Sequence, residues 1–184
     1  MPKSLRLIIQ GIMKTNYKWI FTVFLLSFLL AMFFTFIAET VISNVSLIIG
    51  IVITLLIVFI GIICDIVGVA ISTVSKEPFN AMASKKIREA KTASMLIKNK
   101  DKVSSIFCDV IGDVCGVITG STGAAIIVGI VSLSGANTII VSLIIMGLLS
   151  TITITGKAIG KNIAMRNSTS IIRTVAKIIS MFKK

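Results

Sequence analysis

An all-α integral membrane protein, with four transmembrane helices and basic amphipathic helices beside them, is the fold class this sequence predicts. Three observations carry it. The 184 residues are 55% hydrophobic and only 14% charged, with a mean hydropathy of +1.04, values outside the range of soluble domains. The apolar residues gather into runs long enough to cross about 30 Å of hydrocarbon. The 19 Lys and Arg, against 7 Asp and Glu, give a net charge of +12. They fall between those runs, where basic residues set orientation and meet anionic headgroups of the lipid bilayer.

The elements follow in order within a single membrane domain, 1–184. Residues 1–18 set Leu5, Ile8, Ile9, Ile12 and Met13 against Lys3, Arg6, Lys14 and Lys18, the pattern of an amphipathic helix on a headgroup surface. Spans one and two occupy 19–75. The first, 19–38, has too long an apolar core for a cleaved signal peptide. It ends at Glu39 and Thr40, before a polar turn near Ser43-Asn44. The second, 46–74, is interrupted only by Asp65 and carries Gly61 and Gly68 on a small-residue face. Residues 76–102 are basic, with Pro78 suited to a first turn and Phe79, Ala83, Ile87, Ala90 and Ile97 at helical steps. They predict one in-plane amphipathic helix. Spans three and four fill 103–156 and reverse at Ser134-Gly135-Ala136-Asn137, with a local break expected at Gly120-Ser121-Thr122-Gly123. Residues 157–184 hold seven basic residues and no acid, with an apolar stripe of Ile171, Val175, Ile178 and Phe182.

Charge then orients the chain. Two spans separate each neighbouring pair of basic segments, so all three segments can share one side. The positive-inside rule makes that side the cytosol, giving a multi-pass cell-membrane protein with both termini cytosolic.

Chemistry concentrates in the third span. A carboxylate in hydrocarbon costs roughly 2.5 kcal/mol or more, so Asp109 and Asp113 call for a cavity, a partner or an ion. Their i, i+4 spacing puts them on one helical face. Asp65 lies about ten residues inside the basic boundary at Lys76, roughly 15 Å at helical rise. Asp113 is comparably deep from Lys102, so the two can converge if their helices pack side by side. With the hydroxyls of Ser72 and Thr155 they form a hard-oxygen set suited to Mg²⁺ or Na⁺. The alternative is structural: Asp109 snorkels to the interface, and Asp65 or Asp113 pairs with Lys157.

Beside the acids, Gly112, Gly116 and Gly120 form a stripe that admits close helix approach within or between subunits. Cys64, Cys108 and Cys115 all fall in apolar runs without a C-x-x-C and read as buried thiols. Histidine is absent, and no nucleophile–base pair, P-loop or dinucleotide fingerprint is present, so no enzymatic role is expected. The basic residues are not interleaved with aromatics in a soluble module, so nucleic acid is not an expected partner.

The order of elements from about residue 51 to 182 resembles the transmembrane domain of the cyclin M (CNNM)/CorB/CorC magnesium-transporter family. The resemblance is carried by Asn99-Lys100-Asp101 at the start of the second family span. It is carried too by Gly156-Lys157-Ala158-Ile159-Gly160-Lys161, continuing to Ala164-Met165-Arg166-Asn167. It implies a homodimeric, all-helical transporter domain with an acidic, cytosol-facing cavity that binds dehydrated Mg²⁺. Lys157 stands where the family has a glutamate, Val67-Gly68 stand where it has Ser-Glu, and an extra span precedes the family's first.

Two functions follow as expectations. One is divalent-cation translocation with Asp65, Asp109 and Asp113 as ligands and Lys157 as a switchable partner. The other is a non-transporting scaffold or regulator that keeps the fold, which a fixed Lys157 ammonium beside the acids would favour. A small pore-former fits the size and basicity but not the paired carboxylates.

Overall fold

The computed structural model describes residues 17–85 and 87–182. The amphipathic reading of 1–18 lies outside them except for its last two residues. Every regular element among the described residues is helical, and four helices are long and apolar enough to cross a membrane. The all-α, four-span expectation is met.

The first span, α1 (Tyr17–Ser43), runs past Glu39 and Thr40 instead of ending there. The polar residues of its last turns bond back to their own helix. The Thr40 hydroxyl donates to the Phe36 carbonyl at 2.8 Å, Ser43 to Glu39 at 2.7 Å, and the Asn44 amide to Thr40 at 2.7 Å. With its hydroxyls satisfied in this way, the helix has no reason to stop. A three-residue turn leads into α2 (Leu47–Thr73), as expected.

The segment 76–102 is not one helix. It divides into α3 (Glu77–Ser84) and α4 (Arg88–Lys98), with Ile87 extended between them at φ −69°, ψ 127°. Its last residues already belong to the third span. That span is a continuous 35-residue helix, Lys100–Ser134, made of α5 (Lys100–Ser105), a π-helical stretch (Ile106–Gly112) and α6 (Asp113–Ser134). The expected break at 120–123 does not occur. Thr119 and Thr122 are buried and donate to the Cys115 and Thr119 carbonyls at 2.8 and 3.2 Å, so the ladder there carries its own polar groups. The distortion lies two turns earlier, in the π stretch.

The turn between spans three and four falls where expected. Gly135 takes φ 64°, the left-handed cap that glycine adopts without a Cβ penalty. The Asn137 side chain then caps α7 by accepting from the Ile139 N–H at 2.9 Å. α7 (Thr138–Arg166) continues eleven residues beyond Thr155, and α8 (Ser168–Phe182) follows after Asn167.

α2 is the central helix, packed on the third span, α7 and α8, whereas α1 leans on α6 rather than on α2. The mid-bundle surfaces of α1 and α7 remain apolar and exposed, Phe36 and Leu143 among them, as lipid-facing helices require. The best-buried cluster lies at the basic end. There Ala70, Ile71 and Val74 of α2 meet Phe79 of α3, Ala93 and Ile97 of α4, Ala164 of α7, and Ile172 and Ala176 of α8. This cluster fixes the amphipathic helices to the bundle. In α8 the buried face is Ile172 and Ala176, one position round from the predicted stripe, leaving Ile178 exposed.

Candidate ion-binding site

The interface between α2 and the third span is built by glycine. A Cβ on Gly61 would stand 3.0 Å from the Cys115 Cβ. One on Gly68 would collide with the Cys108 Sγ and lie 3.1 Å from the Ser104 carbonyl. Two bonds cross this contact: the Ser104 hydroxyl donates to the Gly68 carbonyl at 2.8 Å, and the Cys108 thiol to the Asp65 carbonyl at 3.6 Å. Asp65 is enclosed between these contacts at 5% exposure. Its Oδ2 has no hydrogen-bond partner among the described residues. A buried polar atom left unpaired costs about 1–3 kcal/mol, a cost that an ion or a water at the site would relieve.

Asp109 and Asp113 are both exposed, on the shared face their spacing implies. Asp109 accepts a short hydrogen bond from the Ser105 hydroxyl one turn earlier. Asp113, 72% exposed, is met by the Lys157 Nζ of α7 at 3.5 Å from its Oδ1. That is the ion pair present among the described residues. Lys157 itself is only 24% exposed, and a Cβ on Gly112 would lie 3.9 Å from its Nζ.

Asp113 pairs with Lys157, and no group of three acids or thiols among the described residues could hold a metal ion. Gly61 is opposite Gly112 and Cys115, and one turn further along α2 the Asp65 carbonyl meets Cys108. Ser72 and Thr155 are both exposed, and Ser72 donates to the Val69 carbonyl at 2.8 Å. Neither belongs with Asp65 as a ligand in this arrangement. Lys161 is exposed and unpaired among the described residues.

The glycine stripe divides as well. Gly112 is buried against the Gly61 carbonyl, but Gly116 and Gly120 have nothing within 4 Å. They floor an open groove of about 200 Å³ with Thr119, Met146, Ser150 and Thr153. Close packing within the chain is carried by a different pair. Gly156 and Gly160 receive Ile62 and Ile66 of α2, and a Cβ on Gly160 would be 2.6 Å from the Ile66 Cγ1. The Gly-x-x-x-Gly spacing at 156–160 was the available signal for this contact. Other features escaped sequence reasoning. Ser105 pairs with Asp109 at i, i+4, which the spacing could have suggested. Glu39 accepts from the Ser121 hydroxyl of α6, a contact between distant spans that no local pattern announces.

Chemically, the site offers a carboxyl oxygen without a partner at the α2 interface, the exposed carboxyl groups of Asp109 in the π stretch and Asp113 at the start of α6, and one lysine beside Asp113. π-helical turns are rare and recur at functional sites. The three cysteines are free thiols, and Cys108 is wedged over Gly68. A family model described as the cyclin M transmembrane N-terminal domain matches residues 63–184. No curated protein and no solved structure matches the chain.

Proposed function

This chain belongs to the cyclin M transmembrane-domain family, and from that premise we propose that it moves a divalent cation of the Mg²⁺ class across the membrane. Asp65 carries the reading: a carboxylate 5% exposed, with Oδ2 unpartnered, at the α2–π interface. In this mechanism Asp109 and Asp113 draw a hydrated cation to the exposed face. The ion then sheds water as Asp65 replaces it with a hard anionic oxygen. Lys157 competes with the cation for Asp113, since either positive charge relieves the repulsion between neighbouring acids. Both termini and the 76–102 segment are cytosolic in this reading, consistent with the basic residues gathering at one end. A second copy of the chain packs against the open Gly116–Gly120 groove, because exposed glycines in a membrane helix favour close partner approach.

One observation favours the scaffold reading instead. The Lys157–Asp113 pair already neutralises an acid. Isothermal titration of purified protein with Mg²⁺, Mn²⁺ and Na⁺ separates the two. Transport predicts that Lys157→Met tightens divalent binding and Asp113→Asn weakens it, each by about tenfold for one charge-assisted contact. If neither variant changes ion affinity, the acids are structural and the chain is a scaffold.

A further inference from the structure

Where α4 and α8 lie side by side at the basic end, they enclose a crevice of about 330 Å³ lined by Glu89, Ser170, Arg173, Thr174 and Lys177. The volume is that of a small-ligand site. Arg173 and Lys177 stand one helical turn apart on α8, as do Ser170 and Thr174, and Glu89 forms the α4 wall. The two cations do not neutralise Glu89: no ion pair joins them among the described residues.

The hydroxyls are not equivalent. Thr174 donates its proton to the Ser170 carbonyl at 3.0 Å, leaving its oxygen as an acceptor, whereas Ser170 keeps its proton for another partner. Donors for an anion are therefore Arg173, Lys177 and Ser170, and acceptors for a cation are Glu89 and Thr174. Ser170 also lies in the first turn of α8, where unpaired backbone N–H groups and the helix dipole favour negative charge. The crevice is thus complementary to a group bearing both charges, not to an anion alone.

The same helical face then turns apolar. Met181, one turn beyond Lys177, is 72% exposed, and the neighbouring Ile178 is 51% exposed. Apolar side chains displayed beside a charged crevice suit an occupant that continues as hydrocarbon.

We propose that this crevice binds the headgroup of a phospholipid carrying both a phosphate and a primary ammonium, phosphatidylethanolamine being the simplest. The phosphate lies against Arg173, Lys177 and Ser170. The ammonium lies against Glu89 and Thr174, and the glycerol end runs toward Ile178 and Met181. Bound lipid would clamp α8 to α4, independently of any ion passing the bundle.

Native mass spectrometry of the full chain in detergent, titrated with phosphatidylethanolamine, phosphatidylglycerol or phosphatidylcholine, tests it. The ethanolamine lipid is expected to bind about tenfold tighter than either other, the value of one charge-assisted hydrogen bond. Glu89→Gln should erase that preference, and Arg173→Gln with Lys177→Gln should weaken all three lipids. The proposal is overturned if phosphatidylglycerol equals or exceeds phosphatidylethanolamine in the unsubstituted protein, or if Glu89→Gln leaves the preference intact. Soluble glycerophosphoethanolamine is the last arm. Binding as tight as the whole lipid would overturn the lipid assignment in favour of a free phosphate ester.

Discussion

Asp65 is the residue on which the transport reading turns, because its surroundings solvate only part of a charge. Ser104 and Cys108, the polar groups nearest it across the interface, direct their donors to main-chain carbonyls rather than to the free Oδ2. Replacing a buried, half-satisfied carboxylate with an apolar residue of similar volume removes an uncompensated desolvation cost. Asp65→Leu is therefore expected to raise stability by about 1–3 kcal/mol in chelator-treated protein, and to abolish any stabilisation by added Mg²⁺. Thermal unfolding in detergent, with and without the ion, reads both effects. A destabilised, chelator-treated variant would show that Oδ2 is engaged in the native protein and that its unpaired state is wrong.

At the scale of elements, a first-turn carboxylate adds to the burial that holds α3 at the basic end. Glu77 opens α3, with Pro78 beside it in the first turn. The backbone N–H of Glu77 and the Ser75 hydroxyl hold its carboxyl below its ordinary value of 4.5. A carboxylate near a helix N-terminus is favourable in its charged form. Because the folded-state pKa is the lower one, this stabilisation is present at pH above 4.5 and is lost as pH falls through the folded value. Glu77→Gln is accordingly expected to lower stability slightly at pH 7. The difference from the unsubstituted protein should vanish on acidification. A pH series of melting temperatures for the two proteins tests this, and a difference that persists at low pH would assign the effect to packing. The third span shows the other side of element formation. Its long uncharged run announces a helix, but nothing local separates α from π geometry at Ile106–Gly112.

The whole molecule is a bundle that pairs glycine-sealed interfaces with open grooves on its surface. α2 and α7 are sealed through Gly156 and Gly160, whereas Gly116 and Gly120 face open space. Gly160→Leu should lower stability by about 1–3 kcal/mol, since a side chain there overlaps Ile66 and forces it to shift. Gly116→Leu should convert a dimer to monomers in light scattering while leaving the monomer's melting temperature unchanged. Dimers that survive the substitution would place the subunit contact elsewhere. Topology is testable by cysteine labelling at Ser84 and Asn137. The cytosolic-termini arrangement predicts that Asn137 reacts only from outside, and labelling from the cytosol would reverse it.

Length, hydropathy and charge placement were sufficient to determine the all-helical class, the four spans, the turn at Gly135-Ala136-Asn137 and the basic end, because each depends on local composition against a fixed bilayer thickness. The family was also legible, from the residues around Lys157 and Asn99. The partners of the acids could not be read that way. Convergence of Asp65 with Asp113 was inferred from uniform helical rise. In the structure the Cys108 thiol meets the Asp65 carbonyl, and Asp113 pairs with Lys157. Likewise, either glycine stripe, 112–120 or 156–160, could have faced a neighbour by sequence alone. Packing against Ile62 and Ile66 selected the second, since which face a helix buries is decided by its neighbours and not by its own residues.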